Sequence, residues 1–223
     1  MNEKKAKYAP SESKCLITTH KRTIIRNPNL PLTAKQIQIL LNGIDILEDK
    51  TLIQIGLDIG PRVSEVSISE SKEKGKKLAR TPGILISNIE FDAGIIRIWD
   101  EKKNCNRNTM PSKATMALIR MYLNERKIND PRLFRFSAKT AERKIQYWTK
   151  RLLGITRSWH SLRVTYVSRC AEVGQNIIIA QENTGDSIRT LLKYYTKLSP
   201  ETRRRMTEEL PVIPVTDDEK MEM

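Results

Sequence analysis

Apolar residues recur at helical spacing over most of this chain, interrupted once by short β-branched runs. Thr33-Ala34-Lys35-Gln36 has the form of a capping box, in which the threonine oxygen takes the N3 amide and the glutamine reaches back. The stripe Ile37, Leu40, Leu41, Ile44 predicts a helix after it. A second helix is predicted from about Asp49 to Ile59, with Leu52, Ile55 and Ile59 inward, and a third begins near Val63 and ends before a charged loop from Lys72 to Lys77. The period then changes. Ile84, Ile86 and Ile89 precede Phe91-Asp92-Ala93-Gly94, and Ile95, Ile96 and Ile98 follow it, which predicts a hairpin; a third strand runs from after Asn104 to Met110. Helical spacing resumes over Lys113–Arg126, Ala138–Leu153 and His160–Glu172, with two or three more helices between Gln175 and Met206. The expected class is mainly α with one small antiparallel sheet (α+β). Residues 31–210 would form the domain, 1–30 a basic flexible arm closed by Asn27-Pro28-Asn29-Leu30-Pro31, and 211–223 a short tail.

Composition narrows the partner. Of 223 residues, 40 are Lys or Arg against 26 Asp or Glu, a net charge of +14 that favours a polyanion, nucleic acid ahead of lipid. Solvating surface lysine is the competing explanation, and charge alone does not separate the two. Aromatic content of 5% offers no obvious stacking platform for single strands. Cys15, Cys105 and Cys170 are far apart and odd in number, unlike a disulfide framework or a zinc site. No apolar run reaches membrane-spanning length and the lysine-rich start lacks a secretory core, so a soluble cytoplasmic, nucleoid-associated setting is expected.

The chemistry concentrates in three places. Gly60-Pro61-Arg62-Val63-Ser64-Glu65 carries one arginine, His160-Ser161-Leu162-Arg163 a histidine and a second arginine three apart on one helix face, and Gly185-Asp186 precedes Tyr194-Tyr195. Two arginines can hold a phosphodiester through paired oxygens without losing their protons. A tyrosine hydroxyl is a weak nucleophile, so it needs both a base and a charge-neutralised electrophile. Each motif alone has an ordinary structural explanation: a helix N-terminus, a capping or core histidine, packing tyrosines. Tyr166 reads as core.

In order and spacing, Leu32 to Lys197 resembles the catalytic domain of the tyrosine recombinases, the integrases and Xer-type resolvases. The resemblance implies that Arg62 and Arg163 clamp the scissile phosphate and that His160 moves the nucleophile's proton. The nucleophile is expected at Tyr195, nine positions beyond Asp186, with Tyr194 as its neighbouring alternative. It also implies a leaving-group lysine on the turn before Pro111, at Lys103 or, shifted by one, Lys102. The implied activity is site-specific DNA cleavage and rejoining through a 3′-phosphotyrosine, with no cofactor or metal, on double-stranded DNA bearing an attachment site. A tetramer on DNA and an accessory DNA-bending protein are implied partners, and a mobile element or virus the expected source.

Two departures qualify that picture. Asp186 stands where the family has a second histidine. A carboxylate beside a phosphodiester would repel it, so Asp186 is expected to turn away, take another hydrogen-bond role or be protonated, with Lys193 or Arg189 as substitute donors. Relatives carry a separate helical domain upstream; here only the arm precedes the catalytic region, and its Lys4, Lys5, Lys7, Lys21, Arg22 and Arg26 are expected to track the DNA backbone. The tail is expected to pack on a neighbouring subunit. Two alternatives stay open: a catalytically inert DNA-binding relative, which these departures motivate, and a type IB topoisomerase-like strand transferase, which uses similar tyrosine and arginine chemistry.

Overall fold

The computed structural model describes residues 28–73, 76–100, 103–127, 129–196 and 198–209. The basic arm's lysines and arginines, Lys102 and the tail lie outside them. Helix α1 (Ala34–Gly43) begins at the anticipated capping box: Gln36 N–H donates to Thr33 Oγ1 at 3.3 Å, and Thr33 N–H donates to Gln36 Oε1 at 3.0 Å. Helix α2 (Leu47–Ile59) is the central strut. It buries Leu52, Ile53, Ile55, Leu57 and Ile59 and packs against α4 (Lys113–Glu125) and α6 (Trp159–Glu172). At Gly56 a β-carbon would stand 2.6 Å from Leu162 Cδ1, so the close approach of α2 to α6 requires glycine there.

Between these helices the chain departs from expectation in two places. Helix α3 (Val63–Val66) lasts a single turn, and the supposed charged loop is an antiparallel hairpin of β1 (Ser69–Glu73) and β2 (Lys76–Thr81). The buried Thr81 hydroxyl fastens it by donating to Ser64 O at 2.6 Å. The predicted three-stranded sheet forms in the order β3 (Ile89–Glu90), β4 (Ile95–Asp100), β5 (Cys105–Thr109). Its first strand is shorter than anticipated, because Ile86–Asn88 winds into a 3₁₀ turn. Ile96 and Ile98 point into the core on alternate residues, as a half-buried strand requires.

Helix α5 (Ala138–Leu153) follows α4, and Glu142 on it accepts the Trp159 N–H at 2.9 Å, satisfying the start of α6. Three short helices complete the described chain: α7 (Ile177–Thr184), α8 (Ile188–Tyr195) and α9 (Pro200–Glu208). A smaller apolar cluster of Tyr166, Val167, Cys170, Ala180 and Leu191 joins α6, α7 and α8. Tyr166 is core, as expected, and its buried hydroxyl accepts from Asn183 Nδ2 at 2.8 Å. No helix among the described residues is long and apolar enough to cross a membrane.

Candidate active site: a two-arginine clamp

Arg62 and Arg163 arrive from opposite sides of the core and are both fixed by protein groups. Arg62 precedes the single turn of α3; its backbone N–H donates to Glu65 Oε2 at 2.6 Å and its Nη1 to Glu65 Oε1 at 2.9 Å. Arg163 is 4% exposed, on a helix with ten buried residues. Its Nη1 donates to Gly60 O at 2.6 Å and its Nη2 to Thr184 O at 2.8 Å, tying the end of α2 to the end of α7. Both guanidinium groups converge on one carboxylate. Asp186 Oδ1 forms an ion pair with Arg163 Nη2 at 2.6 Å and accepts from Arg62 Nη2 at 3.4 Å, while Oδ2 accepts from Arg163 Nε at 3.1 Å. Asp186 therefore does not turn away. It follows the helix end at Gly185 and lies between the two guanidinium groups.

A third arginine went unnoticed in the sequence. Arg107 on β5 grips Glu65 with both ends of its fork, at 2.8 and 2.7 Å, and its Nε donates to Asn183 O on α7 at 3.3 Å. The 1%-exposed Asp100 lies 3.7 Å from both Arg62 Nη1 and Arg107 Nη1. The signal was available but faint: Arg107 shares its strand face with the fully buried Thr109, and a cation on an inward face needs an anion. Gly185 (φ +71°) closes this corner, since a β-carbon there would stand 2.7 Å from Asp100 Oδ2. Lys103 occupies the β4–β5 turn, exposed, with its backbone N–H donating to Asp100 O at 3.2 Å.

The clamp opens into a cleft of about 560 Å³, which His160, Thr190, Lys193 and Tyr194 also line. His160 is exposed, one turn before Arg163 on α6. Of the two tyrosines it is Tyr194, and not the expected Tyr195, that faces the cleft. The Ser187 hydroxyl caps α8 by accepting from Thr190 N–H at 3.3 Å, and from that start Thr190 and Tyr194 share the cleft face while Leu191 and Tyr195 share the other. Tyr195 packs beside Val173, Ile177 and Met206, where its enclosed hydroxyl has no hydrogen-bond partner among the described residues. Burial, with Cys170 nearby, pushes its pKa up to about 12. Tyr194 is also raised, first by burial and then by the Asp186 carboxylate, with Arg163 pulling the other way.

A mainly helical domain around a three-stranded sheet, with two arginines, a histidine and a tyrosine on one cleft, has the fold of tyrosine recombinase catalytic domains and is similar to them in sequence. The relatives agree. The chain is 24% identical over 204 residues to tyrosine recombinase XerA of Pyrococcus horikoshii, covering 85% of this chain and 66% of that protein. It is 28% identical over 163 residues to XerA of Saccharolobus solfataricus, covering 73% and 50%. Among solved structures, a XerA recombinase superposes with a TM-score of 0.65 at 20% identity, covering 82% of this chain and 66% of that one. A Tn1549 transposon integrase bound to transposon right end DNA superposes at 0.63 and 18% identity, covering 82% and 66%. The chain thus spans between half and two thirds of the length of these XerA proteins. No family model matches it.

Proposed function

We propose that this chain cleaves and rejoins double-stranded DNA at a specific site, with Tyr194 as nucleophile. The observation that carries the reading is the convergence of Arg62, Arg163, His160 and Tyr194 on one cleft. The two arginines hold the scissile phosphate and stabilise the negative charge of its pentavalent transition state. Tyr194 Oη attacks phosphorus as its proton passes to His160; the bond from phosphorus to the 5′-oxygen breaks, and that oxygen takes a proton from Lys103. The product is a 3′-phosphotyrosine and a free 5′-hydroxyl, and attack by a 5′-hydroxyl of a partner duplex reverses the chemistry with exchanged strands. Two duplexes require four such sites, so the working assembly is a tetramer on DNA, with an accessory DNA-bending protein as a further partner. The biological role is integration or excision of a mobile element or viral genome, inside the cytoplasm of the cell that holds it.

The test is incubation with a panel of nicked duplexes carrying candidate attachment sites, followed by denaturing electrophoresis. A covalent protein–DNA adduct that survives Tyr195→Phe and vanishes in Tyr194→Phe is expected. An adduct with the reverse dependence would return the nucleophile to Tyr195. The second reading, an inert DNA-binding relative, is favoured by one observation, the carboxylate of Asp186 inside the clamp. Tight binding without adduct on every duplex of the panel would establish it.

A further inference from the structure

The cleft holds its own anion. Asp186 makes three contacts with the clamp, two to Arg163 and one to Arg62, using both carboxylate oxygens as two phosphate oxygens would be used. Around it, among the described residues, three guanidinium groups (Arg62, Arg107, Arg163) meet three carboxylates (Glu65, Asp100, Asp186). Glu65 and Asp100 lie deep, 4% and 1% exposed, and Glu65 is gripped by Arg107 from behind. The Asp186 side chain is 22% exposed and faces the open cleft, so of the three carboxylates it is the one an incoming ligand meets.

We propose that Asp186 is a tethered stand-in for the substrate phosphate, which keeps the clamp neutral and aligned until a phosphodiester displaces it. This rests on the clamp reading above and deepens it by naming what competes with the substrate. Two consequences follow from the geometry. The guanidinium forks stay aimed at a bidentate anion while the site is empty of DNA, so little ordering remains when phosphate arrives. Each phosphate also binds against an internal competitor, which weakens loose backbone contacts and favours those whose remaining DNA interactions are strong enough to expel the carboxylate. Asp186 is thus a residue that sets selectivity for a firmly held phosphodiester over any passing one.

The experiment uses sulfate as a bare tetrahedral dianion, titrated calorimetrically into the chain at constant ionic strength. Asp186→Asn keeps the side chain's shape and one acceptor but removes its charge. It is expected to bind sulfate at least about tenfold more tightly than the parent. Adding Arg62→Gln to that variant should abolish the gain, because the site created is the clamp itself. Equal or weaker sulfate binding by Asp186→Asn would overturn the proposal, as would a gain that persists with Arg62→Gln. Should the asparagine variant melt well below the parent, Asp186→His assayed at pH 8 replaces it, with the same gain expected and the same failure decisive. Sulfate binding needs no cleavage, so a missing DNA adduct and a missing sulfate gain are separate failures.

Discussion

Two half-buried ion clusters in this molecule use the same chemistry and end differently. One joins α2 to α4 and α5: Lys144 reaches Glu48 Oε2 at 3.0 Å and also Asp49, Trp148 Nε1 donates to Asp49 Oδ2 at 2.7 Å, and the Tyr122 hydroxyl donates to Glu48 Oε1 at 2.9 Å. Every carboxylate oxygen there is answered by a core-facing group of the chain. The other cluster is the clamp, where among the described residues both oxygens of Asp186 are held by Arg62 and Arg163 alone. A closed cluster has nothing to exchange. An open one can trade an internal anion for an external one, and that opening, more than charge or burial, separates a site from a staple.

The sharpest break between the two would come from Tyr194→Phe, expected to eliminate adduct formation while sulfate and DNA binding persist, measured by denaturing gel and calorimetry. Next, Arg62→Ala should slow cleavage about 10²–10³-fold, the range for losing one charge-stabilising donor, read by single-turnover kinetics. Its melting temperature should fall only modestly, because the buried Glu65 and Asp100 lose one cation but keep Arg107. In the closed cluster the pattern inverts. Asp49→Ala leaves Lys144 and the Trp148 indole short of a partner and should cost about 3 kcal/mol in urea unfolding, with the folded fraction cleaving at the parent rate.

The smallest effect is alkaline. Burial and Glu48 raise Tyr122 to about 12, and burial raises Tyr195 likewise, against an ordinary value of 10.0. A raised folded-state pKa means the unfolded chain loses these protons first. The stability they represent is intact below pH 10 and drains as pH climbs to about 12, by up to about 1.4 kcal/mol per pH unit for each tyrosine. Denaturant melts across that window should flatten in Tyr122→Phe. Tyr195→Phe should flatten them too, and at pH 7 it should leave stability unchanged or improved by about 0.5–1 kcal/mol, since the lost hydroxyl had no partner.

What the sequence disclosed follows from how local each signal is. Caps and apolar stripes are local, so Thr33-to-Gln36 and the helices of Ala138–Leu153 and Lys113–Glu125 were readable to within a residue. The β1–β2 hairpin was not, because Ser69–Glu73 and Lys76–Thr81 are written almost wholly in polar residues and carry no two-residue apolar rhythm. In the site, the two arginines and His160 sit in recognisable boxes. Arg107 sits in none, and its role arises only when β5 folds against α3 and α7. Of the roles the sequence allows Asp186, the structure has the hydrogen-bonded one, and its partners could not be named from the sequence because the two arginines converge only in the fold. Counting from Asp186 points to Tyr195 with Tyr194 as its alternative, whereas the face each presents is set by the helix phase from its cap at Ser187.

Adjacent positions on a helix differ by about 100° in direction, so the phase of α8 decides which tyrosine meets the cleft. The chain carries a spare. Removing Leu192 alone would leave Ser187 and Thr190 in place as the cap, keep a leucine at the buried position of Leu191, and rotate Tyr195 into the place of Tyr194. Tandem tyrosines beside tandem leucines would therefore keep a tyrosine on the cleft face of this helix after the loss of Leu192. Redundancy of this kind is stored in the spacing of side chains, outside any single contact.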